Sequence, residues 1–290
     1  MPAIERASLG EKIAWVAAAI NTPETFRKRA RLVAQELGST CIPLLPSFFH
    51  HSPNPPEEVK GQFSGLGQWM DVCQAAIFEM LYYFREAALP LLRQVAFGVY
   101  DWTQVRAIEI LCRFAAEGLE REQIEKELAQ ELPRLRYEAV MSARNVLARL
   151  TLVAPQLMVA FHTLIHEYLQ EEFDPVDALD LIEALAYAHP PAAKTYETFL
   201  RKLMSGEELA GRHPILDGHV IEYTPDGAEV VHGNPLPSDF HAVRVALVLL
   251  RLIPDDETAL AEVRRWAMAY PDEKVREELR QQLEQREHHP

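Results

Sequence analysis

The sequence predicts an all-α fold, an α-solenoid of roughly six to seven stacked helix pairs with one β-hairpin inserted near 219–232. Three observations lead there. Apolar residues recur three and four apart through most of the chain, helical runs end at glycine, and a short signature returns at intervals that suit one helix pair.

The stripes are clearest in mid-chain. Within 120–132, Ile124, Leu128 and Leu132 recur every fourth residue, while Glu122, Glu125, Lys126 and Glu127 occupy the other side. One side is therefore dry and the rest wet. Within 137–150 the apolar set is Val140, Ala143, Leu147 and Leu150, again spaced three and four apart. Gly38, Gly98, Gly118 and Gly206 each follow such a run, where a left-handed cap favours a residue without a β-carbon. Asp174-Pro175 has the order of a helix start, a capping side chain and then proline in the first turn.

The repeating signature is a second-helix opening. Asp101-Trp-Thr-Gln-Val105-Arg106 leads into AIEILCRF, Asp239-Phe-His-Ala-Val243-Arg244 into VALVLLRL, and Asp272-Glu-Lys-Val275-Arg276 into EELRQQL. Val72, Val105 and Val140 are 33 and 35 residues apart, and Val243 and Val275 are 32 apart. Weaker copies centre near Phe26 and Ala178. This pattern resembles the HEAT repeat, an armadillo-type helix pair; the tetratricopeptide repeat has a similar period, but its Trp, Gly-Tyr and Ala-Phe positions find no match here. The resemblance implies that Asp101, Arg106, Asp239, Arg244, Asp272 and Arg276 form a structural ladder between repeats. It also implies a single elongated domain over 1–290 whose second helices line a concave side, with Trp102, Arg113, Arg144 and Asp180 as contact candidates. The segment 254–290, with its thin stripe of Val275, Leu279 and Leu283 amid charge, suits a polar capping repeat.

Two segments break the period. Residues 43–68 hold five prolines before Glu57 and three glycines after it, a loop composition that puts Phe48, Phe49, His50 and His51 in irregular chain. Phe48 and Phe49 are expected there as partner contacts, or the loop folds back over a helical end. The second break is an insertion over 214–237. HVIEY and AEVVH alternate around Thr224-Pro225-Asp226-Gly227, a hairpin in which Ile221 faces Val230, Val220 faces Val231 and His219 faces His232.

A formal net charge of −14 disfavours duplex nucleic acid, whose affinity comes largely from Lys and Arg on phosphates. Such a charge is read first as serving solubility, and the alternative is a partner protein with a basic surface. The interval between Arg149 and Lys194 contains no Lys or Arg and seven acids, whereas 26–31 (FRKRAR) is the densest basic run. Cys41, Cys73 and Cys112 are odd in number and each sits in an apolar stretch, so they read as core filler in a reducing compartment. The opening residues have neither signal-peptide form nor the length to span a membrane, and a cytoplasmic location is expected.

Candidates for chemistry are few. His162 and His166 lie four apart, but as H-x-x-x-H-E without a third ligand at a recognisable spacing. His219, His232 and His241 gather around the hairpin and form the metal candidate. Neither a G-x-S-x-G, a P-loop nor a dinucleotide glycine motif is present, so no catalytic residue and no cofactor are assigned. The leading expectation is a non-enzymatic scaffold or adaptor that presents a curved, acidic helical surface. The alternatives are an enzyme on a HEAT-like scaffold, of DNA-glycosylase or bilin-lyase type, and a metal site at the hairpin.

Overall fold

The computed structural model describes residues 6–63, 66–99, 102–135, 137–150, 155–170, 175–205, 220–223, 229–232, 239–270 and 272–288. The fold is all-α and divides into two compact units, Met1–Ala160 and Phe161–Pro290.

In the first unit, α1 (Arg6–Ala17) and α2 (Pro23–Leu37) pack on α3 (Leu66–Phe84). After α4 (Leu89–Ala96), helix α5 (Thr103–Ala116) lies against α3, α4, α6 (Arg121–Leu135) and α7 (Tyr137–Arg149). So many neighbours leave α5 little wet surface: Ile108, Leu111, Cys112, Phe114 and Ala115 are all fully buried. The stripes read from sequence are the buried ones, Ile124, Leu128 and Leu132 on α6 and Val140, Ala143 and Leu147 on α7. At the end of α5, Gly118 has φ +88°; its N–H reaches the Ala115 carbonyl and the Leu119 N–H reaches that of Phe114, so the last carbonyls of the helix are satisfied.

The Pro-rich segment differs from its expectation. Ser39–Phe48 is a 3-10 helix, and a second short one spans Glu57–Val59. Three residues per turn align Ile42, Leu45 and Phe48 on one face, and all three are buried. Phe48 and Phe49 are only 5% and 6% exposed, so they are not surface contacts. The cause is packing against α1 and α3. Gly10 of α1 leaves room for the Phe48 ring, to which a β-carbon would come within 3.3 Å, and Phe49 stacks on Phe78 at 5.4 Å. Gln74 Nε2 donates to the Phe49 carbonyl at 2.7 Å and Trp69 Nε1 to that of Pro53 at 2.6 Å, tying the segment down.

The unit boundary falls within α8 (Pro155–Gln170). In the second unit, α9 (Pro175–Ala188) begins at the proline read as a helix start and is followed by α10 (Pro190–Ala193) and α11 (Glu197–Ser205). Helix α12 (Asp239–Leu252) packs on α9, α10, α11 and α13 (Glu257–Ala269), and α14 (Glu273–His288) packs on α13. Asp256 caps α13, accepting from the Ala259 N–H at 3.0 Å and from Arg201 of α11 at 2.6 Å. Burial alone would raise the Asp256 pKa, but these bonds outweigh it and hold the carboxyl below its ordinary value.

Backbone runs β1 (Val220–Tyr223) and β2 (Glu229–His232) pair antiparallel, with Val220 opposite His232, Ile221 opposite Val231 and Tyr223 opposite Glu229. This register is one residue off the sequence reading, so His232 does not face His219, which lies outside the described residues. Tyr223 and Glu229 close on five intervening residues, 224–228, where the turn signal counted four. The side chains of both runs also lie outside the description.

Since α5 is enclosed on several sides, Leu111→Ala is expected to cost about 2–5 kcal/mol of unfolding free energy in urea. Val99→Ala, at a position 94% exposed, is expected to change it by less than about 0.5 kcal/mol.

Candidate functional site

Helices α3, α5 and α7 present a common face on which charged side chains are joined helix to helix. Asp71 of α3 accepts from Arg106 of α5 at 2.5 Å. Two turns further on, Glu79 takes both terminal nitrogens of Arg113, at 2.6 and 3.1 Å. Glu109 of α5 in turn accepts from Arg149 of α7 at 2.8 Å. Arg85, in the left-handed region at φ +56°, leaves the end of α3 and bonds Glu117 at 2.6 Å. Arg93 of α4 likewise reaches Glu120 at 2.6 Å and Glu127 of α6 at 2.8 Å.

The Glu79–Arg113 pair is the most enclosed of these, its side chains 10% and 16% exposed. Arg113 also lies over the Tyr82 ring at 3.6 Å. Burial works against the Arg113 charge, but the bonds and charge of Glu79 prevail and hold its pKa above the ordinary value. Burial pushes the Tyr82 hydroxyl up, as does the Glu117 carboxylate to which it donates. For Glu117, hydrogen bonds from Tyr82 and Arg85 overcome burial and lower the pKa. These groups are mutually satisfied.

At one end of this face lies a groove of about 410 Å³ between Met70 and Asp71 of α3, Trp102 just before α5, Arg106 of α5, and Met141 of α7. Trp102 is 57% exposed, and Met141 is also exposed. A second groove, of about 460 Å³, sits where Phe26 and Arg27 of α2 face Tyr82 and Arg113.

The expected ladder residues fall as follows. Arg106 and Arg244 both reach to another helix, but to acids that sequence reading did not assign to the ladder. Arg106 meets Asp71, while Arg244 meets Asp180 and, at 2.8 Å, Glu183 of α9. Asp101 and the Asp239 side chain lie outside the described residues. Asp272 accepts from the Lys274 N–H at 2.8 Å and so caps α14, and Arg276 donates to the Tyr270 carbonyl. Among the expected contacts, Arg113 and Asp180 are engaged in these internal pairs, Arg144 is exposed on α7, and Trp102 stands at the groove. One signal points to the missed partners: Asp71–Arg106 and Glu79–Arg113 are 35 and 34 residues apart, the interval of one helix pair.

The metal candidates His219, His232 and His241 lie outside the description, the last two by their side chains. Among the described residues no group of three His, Cys, Asp or Glu is placed to hold a metal ion. His162 Nδ1 and the Tyr196 hydroxyl lie 2.6 Å apart, and burial pushes that hydroxyl up to about 12. No described helix is long and apolar enough to cross a membrane. Comparison with protein-family models, with curated proteins and with solved structures gives no match.

Two outcomes follow from this chemistry. Glu79→Met and Arg113→Met are each expected to destabilise by about 1.5–3 kcal/mol, since each strands a charge. The double variant is expected to cost less than their sum by about 1–3 kcal/mol, read from a denaturation cycle. Burial pushes the Cys41 thiol up to about 11 and that of Cys73 to about 12, and raises Cys112 as well. A soluble disulfide reagent is therefore expected to find none of the three free thiols in the native protein and all three in denaturant.

Proposed function

We propose that the protein is a non-enzymatic interaction module built from HEAT-like helix pairs, and that the α3–α5–α7 face of its first unit docks another protein. The observation that carries this is Trp102, more than half exposed at the mouth of a groove whose other walls include Met70 and Met141. An indole contributes large contact area at small entropic cost and is enriched among the residues that dominate interfaces. Methionine adapts to the shape of what it meets. The paired charges further along hold the helices in fixed spacing, so the groove is preformed and loses little on binding.

The HEAT-like reading draws support from consecutive helices packing on their neighbours and from rungs one helix pair apart. The partner segment that suits the groove is apolar with basic character. Asp71, 64% exposed, lies at the groove, and an indole face attracts a cation.

Affinity capture from a native extract compares the wild type with Trp102→Ala. A partner retained at physiological salt by the wild type is expected to bind the variant about 30-fold more weakly, the equivalent of about 2 kcal/mol. Thermal melting checks that the variant remains folded. Identical retention by both proteins, or affinity only for duplex DNA with a steep salt dependence, would sink this reading.

A further inference from the structure

The second unit carries a groove of about 550 Å³ between α9, α12, α13 and α14 whose character differs from the face described above. Among the described residues its lining includes Arg244, Arg251 and Arg286 against one carboxylate, Glu183. Arg244 is neutralised by Asp180 and Glu183. Among the described residues no carboxylate matches the other two arginines in this way. Arg251 donates through Nε to the Ala186 carbonyl at 3.0 Å and through Nη2 to that of Tyr187 at 3.3 Å. Arg286 donates to the Leu250 carbonyl at 3.3 Å and to that of Pro254 at 2.6 Å.

Those four acceptors are neutral carbonyls at or just beyond the C-terminal ends of α9 and α12. Such an end offsets about half a unit charge. Each guanidinium thus keeps part of its positive charge, and with five N–H donors and two spent it keeps three to offer. The contrast with the first unit is specific. Arg106 and Arg113 stand seven apart on α5, as Arg244 and Arg251 do on α12. Where Arg113 meets the carboxylate of Glu79, the hydrogen bonds of Arg251 among the described residues go to backbone carbonyls.

Apolar surface lies between these cations. Leu247 and Leu283 line the groove half-buried, with Val248 and Val263 buried behind them. Tyr187, 48% exposed, lies under the Arg251 guanidinium at 4.1 Å. The volume falls within the range of about 300–1,000 Å³ usual for ligand sites. Open to solvent and running along helices, it suits an extended or helical segment.

We propose that this groove binds an acidic amphipathic peptide segment of a partner protein, its carboxylates on Arg251 and Arg286 and its apolar side chains against Leu247 and Leu283. Charge complementarity selects the occupant, because a basic segment meets two partly unneutralised guanidiniums. The groove belongs to the second unit, and the inference stands whether or not the first unit's face has a partner.

The test is fluorescence anisotropy of the full chain with a labelled peptide carrying Glu and Leu at helical spacing, beside a counterpart with Lys in place of Glu. The acidic peptide is expected to bind, more weakly as salt rises, and the Lys peptide to show no saturable binding. Gln282→Glu with Gln285→Glu adds two negative charges at exposed rim positions of α14 and is expected to weaken the acidic peptide at least about tenfold. Arg251→Gln with Arg286→Gln is expected to weaken it further, and thermal melting reports any loss of fold. Trp102→Ala is expected to leave this binding unchanged. Failure of the acidic peptide to bind at millimolar concentration, equal binding of the Lys peptide, or indifference to the rim charges each overturns the proposal. So does binding of duplex DNA or of anionic vesicles in place of the peptide.

Discussion

Each unit depends on one helix that has to be dry on most of its circumference. In the first it is α5, enclosed by α3, α4, α6 and α7; in the second it is α12, enclosed by α9, α10, α11 and α13. A helix so surrounded keeps only a narrow wet strip, and the polar residues of that strip have nowhere else to emerge. On α5 the strip carries Arg106, Glu109 and Arg113; on α12 it carries Arg244 and Arg251. Packing of the apolar stripes therefore decides where the charged chemistry appears. The two grooves proposed to receive a partner lie beside these strips.

Most of the charge on these strips is partly withdrawn from water, Arg251 being the exposed member, and the partly buried groups require an answer from the neighbouring helix. In the first unit the answers are carboxylates, which fix helix spacing and leave the face nearly neutral. Such pairs contribute less to net stability than their short distances suggest, because desolvation offsets much of the attraction. Their larger effect is on register: a bidentate Glu79–Arg113 contact fits only one axial position of α3 against α5. In the second unit carbonyls at helix ends give part of the same answer. They satisfy donors as well as carboxylates do, yet neutralise less charge.

Much of this was legible in the residues. The stripes on α6 and α7, the turn at Gly118 and the proline that opens α9 were readable because each is local, set by spacing within one or two turns. The signature arginines Arg106 and Arg244 were also readable, but not their partners. Asp71, Glu79 and Glu183 are three among 43 acids; a spacing of one helix pair points toward the first two, but three-dimensional packing is what selects all three. Phe48 and Phe49 misled for a related reason. Prolines announced an irregular backbone, and irregular backbone suggests surface, whereas the period of three in Ile42, Leu45 and Phe48 needed a 3-10 helix to become a buried face. The strand register slipped by one because turn residues signal that the chain reverses more reliably than they signal how many residues lie in the turn.

A net charge of −14 would by itself favour a basic partner, whereas the occupant proposed for the groove of the second unit is acidic. The two statements apply at different distances. Net charge governs what approaches from afar, and at physiological salt that influence fades over about 8 Å. Within a groove the nearest guanidiniums dominate, since water is partly excluded and the effective dielectric constant is lower. An acidic segment thus meets repulsion on approach and attraction on arrival, which slows association without weakening the final contact to the same degree. Selectivity follows from that order: only a segment whose carboxylates reach Arg251 and Arg286 together, with an apolar side chain between them, recovers what the approach cost.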